Sequence, residues 1–311
     1  MPRNVRAMTD PSPAAVPPRR LLLLANPRAR NGAAASDLVA PLAGLGLEVV
    51  FVEPDGIEAL LATIRTTGRT VDRIAIAGGD GSIAAALPAL LDLQKPLAVL
   101  PLGTANDLAR NLRLPDAREE QLRLVARGGV RRIDLASVNG RPVLNAVSIG
   151  LGAAVARMHQ GTAKRLLGVL NYPRVLYAAW RRIHPFRVEI TCDGTVHRDR
   201  FIHVAVVNGR FHGGGIEPRP SGTITDGVLD LYALRADPVH RLVRAMAKLK
   251  IEGAESDEAF RLQGRHIAIA TSRPRRANID GELVGRTPLD IEIMPEALPV
   301  VVPGRAEHDG S

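Results

Sequence analysis

Several things are scarce in this chain, and each scarcity excludes something. A single cysteine, Cys192, among 311 residues leaves no partner for an internal disulfide, so stability has to come from buried apolar surface, and the residue reads as a small core side chain. Aromatic residues make up only 3%, which removes the stacking platforms of single-strand binders; with no reading motif either, nucleic acid is not an expected partner. Lysine is rare too: only Lys95, Lys164, Lys248 and Lys250 stand among the 41 basic residues. Long apolar runs are missing, since the segment 143–156 is broken by Asn145, Ser148, Gly150 and Gly152 and falls short of the roughly 20 residues that span a bilayer. Residues 21–25 are too short a run for a signal-peptide core. Any membrane contact is therefore expected to be peripheral, and a cytoplasmic location follows from the lack of any export signal. The eight histidines show no metal-ligand spacing.

What is present is an ordinary apolar content of 46% and a formal net charge of +9. The length allows two domains with separate cores. The charge predicts acidic partners, such as nucleotide phosphates or anionic headgroups. Residues 1–20, rich in Pro, Ala and Arg, read as a disordered tail. From 21 to 134, apolar runs at 21–25, 47–52, 74–77 and 97–100 alternate with helical patterns at 33–43, 57–66, 82–93 and 105–111. This alternation predicts an α/β domain around a parallel sheet. Beyond 134 the runs shorten and alternate with a period of two, punctuated by Asn139-Gly140, Asp193-Gly194, Asn208-Gly209, Asp226-Gly227 and Asp280-Gly281. These are hairpin dipeptides, so residues 135–295 are expected to form a mostly antiparallel β-domain. Two helical stretches, 173–183 and 239–251, interrupt it. The closing run 289–302 alternates like a strand, and its segment 296–305 is a candidate addition to the first domain.

Polar turns fall where three of the predicted parallel strands end: Asn26-Pro27, Gly78-Gly79-Asp80-Gly81-Ser82, and 101–107 with Gly103, Thr104, Asn106 and Asp107. Ligands of parallel sheets sit at those ends. The glycine turn, followed by Ile83 and Ala84, has neither the Gly-Lys-Ser/Thr of a Walker loop nor the spacing of a dinucleotide fingerprint. With no lysine at hand, peptide amides and a metal ion beside Asp80 would have to neutralise phosphate. The same residues also suit a tight turn with Asp80 capping a helix, and Thr104 or Asn106 suit an ordinary N-cap.

Taken together, the glycine turn and the 101–110 segment resemble the catalytic domain of the diacylglycerol kinase superfamily, above all its soluble bacterial lipid kinases. The likeness continues through Asn208-Gly209, Gly213-Gly214-Gly215, Thr225-Asp226-Gly227 and Asp280-Gly281-Glu282. It implies ATP in a cleft between the α/β domain and a β-sandwich lipid-substrate domain, and γ-phosphoryl transfer to a lipid hydroxyl such as that of diacylglycerol. It implies that 78–84 and Thr104 hold nucleotide, that Asp80 serves the phosphates and Mg²⁺, and that Asp280 or Glu282 is the general base. Glu282 is the favoured base, because a hairpin turn alone accounts for Asp280. The resemblance also implies a second, structural Mg²⁺ at Asp226 with main-chain oxygens around Thr223 and Val228, although an Asp-Gly turn explains the same residues. Ser82 stands where threonine is usual and keeps the hydroxyl. Glu53, where the family offers threonine to the nucleotide, would repel phosphate.

The segment 173–183 places Val175, Leu176, Ala179, Trp180 and Ile183 on one helical face, with Arg174, Arg181, Arg182 and Arg187 at its margin. Such a stripe suits an anionic bilayer surface, and equally a core helix with solvated arginines. His212 is a further candidate base. A homodimer is compatible with the sequence.

Overall fold

The computed structural model describes residues 18–26, 35–150, 185–235 and 259–304. Most of the expected tail, Pro27 and the two helices expected over 173–183 and 239–251 lie outside the described residues. Two compact units make up the chain: Met1–Leu135 with Pro295–Ser311, and Ala136–Met294.

In the first unit, strands β1 (Arg20–Ala25), β2 (Glu48–Val52), β3 (Arg73–Gly78) and β4 (Leu97–Pro101) alternate with helices α1 (Val39–Gly44), α2 (Ile57–Thr66), α3 (Asp80–Leu93), α4 (Asp107–Asn111) and α5 (Arg118–Arg127). The strands pair in the order β2-β1-β3-β4, all parallel, with Leu22 facing both Val50 and Ile74, and Ile74 facing Leu97. β1, β3 and most of β4 are continuously buried, as expected of parallel strands covered on both faces. Helix α2 turns Leu60 and Ile64, one helical turn apart, inward and leaves Glu58 outside.

One buried cation braces this unit. Arg73, only 1% exposed at the start of β3, reaches the last carbonyls of α5: its guanidinium donates to Val125 and, at 3.1 Å, to the Gly128 carbonyl. Those carbonyls form the negative end of the helix and have no partner within it. Burial pulls the Arg73 guanidinium down to about 10, which leaves it charged at neutral pH.

The second unit is antiparallel throughout its described pairings. Its strands are the end of β5 (Gly129–Val138), β6 (Arg141–Val143), β7 (Ala146–Gly150), β8 (Phe186–Cys192), β9 (Thr195–Val207), β10 (Leu229–Arg235), β11 (Ala259–Gly264), β12 (His266–Thr271), β13 (Arg276–Ile279), β14 (Glu282–Arg286) and the start of β15 (Leu289–Val302). β9 pairs with β8 through its first half and with β7 and β10 through its second, so one strand serves two sets of neighbours, as in a sandwich. Phe186, Val188, Ile190, Phe201, Val204 and Leu231 alternate into one core, which Cys192 joins as a buried free thiol.

Three of the five Asn/Asp-Gly dipeptides are two-residue hairpins: Val138 faces Arg141, Cys192 faces Thr195, and Ile279 faces Glu282. Both residues of each turn have positive φ, for instance 47° at Asp280 and 91° at Gly281, the type I′ geometry that matches strand twist. Asn208-Gly209 and Asp226-Gly227 depart from expectation, because neither is a two-residue turn between paired strands. They lie in the long connection between β9 and β10.

Replacing Arg73 by Met leaves helix-terminal carbonyls buried without a donor, and is expected to cost about 2–4 kcal/mol. The measurement is the urea midpoint at constant m-value. A midpoint equal to wild type would show that Arg73 does not brace α5.

Candidate active site

Three strands of the first unit end side by side, β1 at Ala25 beside Ala77, and β3 at Gly78 beside Pro101. From β1 the chain moves to β2 on one side and later to β3 on the other, so the crevice between β1 and β3 is the point where the winding direction switches. Parallel sheets bind ligands there. Asn26 bridges it, donating its side-chain amide to Ser82 Oγ at 2.9 Å and its backbone N–H to the Ala77 carbonyl at 3.2 Å.

The two glycine turns touch backbone to backbone. A Cβ on Gly103 would lie 2.5 Å from Gly79 Cα, and one on Gly78 would lie 2.9 Å from Ser82 Oγ, so neither position admits a side chain. The Gly79 carbonyl accepts from Ser82 and Ile83 at 2.9 and 3.3 Å and closes the first turn of α3. Gly81 differs: a Cβ there would meet nothing within 4 Å, and its φ is not in the left-handed region. The fold itself makes no steric demand for glycine at that position.

Asp80 joins the two turns. Its Oδ2 accepts the Asp107 N–H at 2.9 Å and its Oδ1 the Leu108 N–H at 3.0 Å. The aspartate therefore does act as a helix cap, but for α4, 27 residues away, and not for the helix it begins. Asn106, at φ 50°, clasps its own turn, accepting from Gly103 N–H and donating to Gly103 O, both at 3.0 Å. Asp107 is buried, Thr104 is exposed in the same turn, Ala84 is half-buried, and Ile83 points into the core. Glu53 is exposed directly after β2, which runs parallel to β1.

In the second unit the acidic motif divides into two roles. Asp280 accepts from the amides of Leu144 and Asn145 at 2.8 Å and of Ala146 at 3.2 Å, and so clamps the approach to β7. Glu282, two residues on, is exposed and pairs with Arg141 at 3.4 Å. Around Asp226 the donors are N–H groups: Thr223 N at 3.1 Å, Val228 N at 3.3 Å and Arg219 Nη2 at 2.5 Å. Arg219 Nε also donates to Asp230 at 2.8 Å, a contact that sequence reasoning missed.

His212 does not have the surroundings of a base. It is buried and bonded through Nε2 to Tyr232 Oη at 3.0 Å, and Tyr232 in turn meets His203 Nε2 at 3.3 Å. His203 Nδ1 lies 3.1 Å from the Ile149 carbonyl, which can only accept, so that nitrogen carries the proton. The chain of donors then runs from His212 through the Tyr232 hydroxyl to His203, with both rings neutral. Burial depresses His203 to about 4, and burial together with the His203 charge depresses His212 to about 3.

Residues 20–138 match the diacylglycerol kinase catalytic domain, and residues 145–302 match the YegS C-terminal NAD kinase beta sandwich-like domain. A protein of Stenotrophomonas maltophilia named "Probable lipid kinase YegS-like" is 31% identical over 264 residues, 81% of this chain and 85% of its own length. A protein of the same name from Pseudomonas savastanoi pv. phaseolicola is 32% identical over 234 residues, covering 74% and 75%. Among solved structures, a diacylglycerol kinase from Bacillus anthracis str. Sterne shares the fold with a TM-score of 0.73 at 24% identity, over 92% of this chain and 97% of that one. The fold is that of the diacylglycerol kinase superfamily. Within it, the chain belongs to the YegS-like lipid kinase family.

The buried histidine pair makes acid stability predictable. Both rings titrate near 6.5 when unfolded, so between that pH and about 4 the unfolded chain binds protons that the folded one excludes. Stability is therefore complete above about 6.5 and falls as pH is lowered, by on the order of a few kcal/mol. Urea unfolding across this range is the measurement. His212→Gln, which keeps a donor for Tyr232, is expected to flatten the slope, and an unchanged slope would contradict the neutral chain.

Proposed function

We propose that the chain transfers the γ-phosphoryl group of ATP to the hydroxyl of a lipid, diacylglycerol or one of similar chemistry, with Mg²⁺ accompanying the nucleotide. The observation that carries this reading is the Asp80 link, which holds two amide-rich turns against each other at the switch point of a parallel sheet. Gly78, Gly79, Gly81, Ser82 and Thr104 would line the phosphates. Gly81 supports this, because its missing side chain leaves the backbone of α3 open to close approach. Asn106 and Asp107 serve the same turn by shaping it.

The donor set at Asp80 suits a hard cation: each carboxylate oxygen accepts one amide and keeps a second lone pair. Mg²⁺ held there would neutralise phosphate charge, which no lysine of the turns can do. What remains for the chain is to orient the acceptor and remove its proton. Glu282 has an exposed carboxylate suited to that proton, with Arg141 to hold its position. Asp280, gripped by three amides, acts on the geometry of the hairpin that presents Glu282. The reading locates the enzyme in the cytoplasm, where ATP is, working at the membrane surface. It agrees with the finding that no helix among the described residues is long and apolar enough to cross a bilayer.

Two experiments test this reading. The protein, incubated with labelled ATP, Mg²⁺ and a panel of lipids in mixed micelles, is expected to yield a phosphorylated lipid. A blank panel with phosphorylation of NAD in the same buffer would reverse the reading. Glu282→Gln is expected to lower kcat by about 10²–10⁴ with an unchanged melting temperature. Asp280→Asn, by contrast, is expected to lower the melting temperature first, because it weakens three backbone contacts. If Glu282→Gln turns over like wild type, the base is elsewhere.

A further inference from the structure

We infer that Arg219 supplies, from within the chain, the positive charge for which the family likeness implies a second Mg²⁺ at the Asp226 turn, so that this part of the fold needs no divalent ion. Two carboxylates meet here. Asp230 is buried at 5% exposure, and burial pushes its carboxyl upward, with the Asp226 charge adding to the push. Some cation has to compensate them, and a guanidinium does so with separate N–H groups: Nη2 to Asp226 at 2.5 Å and Nε to Asp230 at 2.8 Å. Gln263 Nε2 is a second donor to the same Asp230 oxygen, at 2.8 Å.

Mg²⁺ demands about six oxygens at 2.0–2.1 Å, and here the guanidinium already occupies one oxygen of each carboxylate. Asp226 accepts from the N–H groups of Thr223 and Val228 and from the arginine, which engage Oδ2 twice and Oδ1 once. A metal ion bound through Asp226 Oδ2 or Asp230 Oδ1 would compete with the guanidinium for that oxygen. Arg219 lies in the connection between β9 and β10 that also contains Gly213–Gly215, while Asp230 is on β10 and Gln263 on β11. The ion pair therefore fastens this connection to the sheet. On the kinase reading above, a further consequence is that activity follows the Mg²⁺–nucleotide complex, with no added requirement for free Mg²⁺.

The test uses the full chain, chelator-treated and free of nucleotide, so its outcome is independent of any activity. Thermal unfolding of wild type is expected to be the same in chelator, Mg²⁺ or Ca²⁺. Arg219→Met is expected to melt lower, and to regain roughly 5 °C when either ion is added well above its dissociation constant, because the vacated carboxylates then bind it. If Arg219→Met does not stay folded, its refolding yield with and without the ions is read instead, with the ions expected to raise it. A rise of the wild-type melting temperature on adding Mg²⁺ or Ca²⁺ would overturn the inference. So would an Arg219→Met protein indifferent to both ions.

Discussion

A carboxylate that accepts from two successive backbone amides fixes both its own turn and theirs, since each N–H···O bond narrows the direction from which the other can come. Asp80 makes this contact with Asp107 and Leu108, and much of the first unit is arranged to permit it. Gly79 and Gly103 have no side chains because the turns must come this close. β3 and β4 lie in parallel register so that both turns leave the sheet at one level. Asn26 holds the third turn to Ser82 from the far side of the switch point. Packing sets the sheet, the sheet sets the turns, and the turns present the amides that a phosphate would meet.

The second unit repeats a different device. In each two-residue hairpin the Asn or Asp that adopts positive φ also uses its side chain to hold a neighbouring segment. Asn139 Oδ1 accepts the Asp290 N–H, Asp193 accepts from Arg265 and His266, and Asp280 accepts from Leu144, Asn145 and Ala146. A short polar side chain tolerates the left-handed region and reaches nearby backbone, so one residue both shapes the turn and clamps the next strand. Asp280 shares this pattern with Asn139 and Asp193, whereas Glu282, among the described residues, accepts from no backbone amide and meets Arg141.

Legibility in the sequence followed the range of the interaction. The parallel strands stood out because burial on both faces leaves uninterrupted apolar runs, and the alternating runs of the second half likewise announced antiparallel pairing. The α/β and β-sandwich-like classes were therefore readable, as were the residues of the glycine turn. Helix α5 was not anticipated, because its first turn is Arg118, Glu119 and Glu120 and only Leu122, Val125 and Ala126 carry its apolar stripe. Asp226-Gly227 looked like a two-residue hairpin because positive φ at glycine was the legible part, whereas the length of the connection from β9 to its partner β10 was not. The partner of Asp80 lies 27 residues away, and that of Asp280 more than 130. No local pattern encodes either. His212, Tyr232 and His203 were equally opaque, since only the fold brings three separated polar side chains into one dry place.

The last strand carries a consequence for cutting this protein apart. β15 begins against β12, in the unit that ends at Met294, and continues to Val300, which pairs with Leu97 of β4. A fragment stopping after residue 135 would keep every residue of the glycine turns yet remove the strand that pairs with β4 at Leu97, and so open that edge of an apolar sheet. Such a margin recruits strands from other molecules. The amino-terminal fragment is thus expected to aggregate when expressed without the carboxyl-terminal segment, however complete its motifs look on paper.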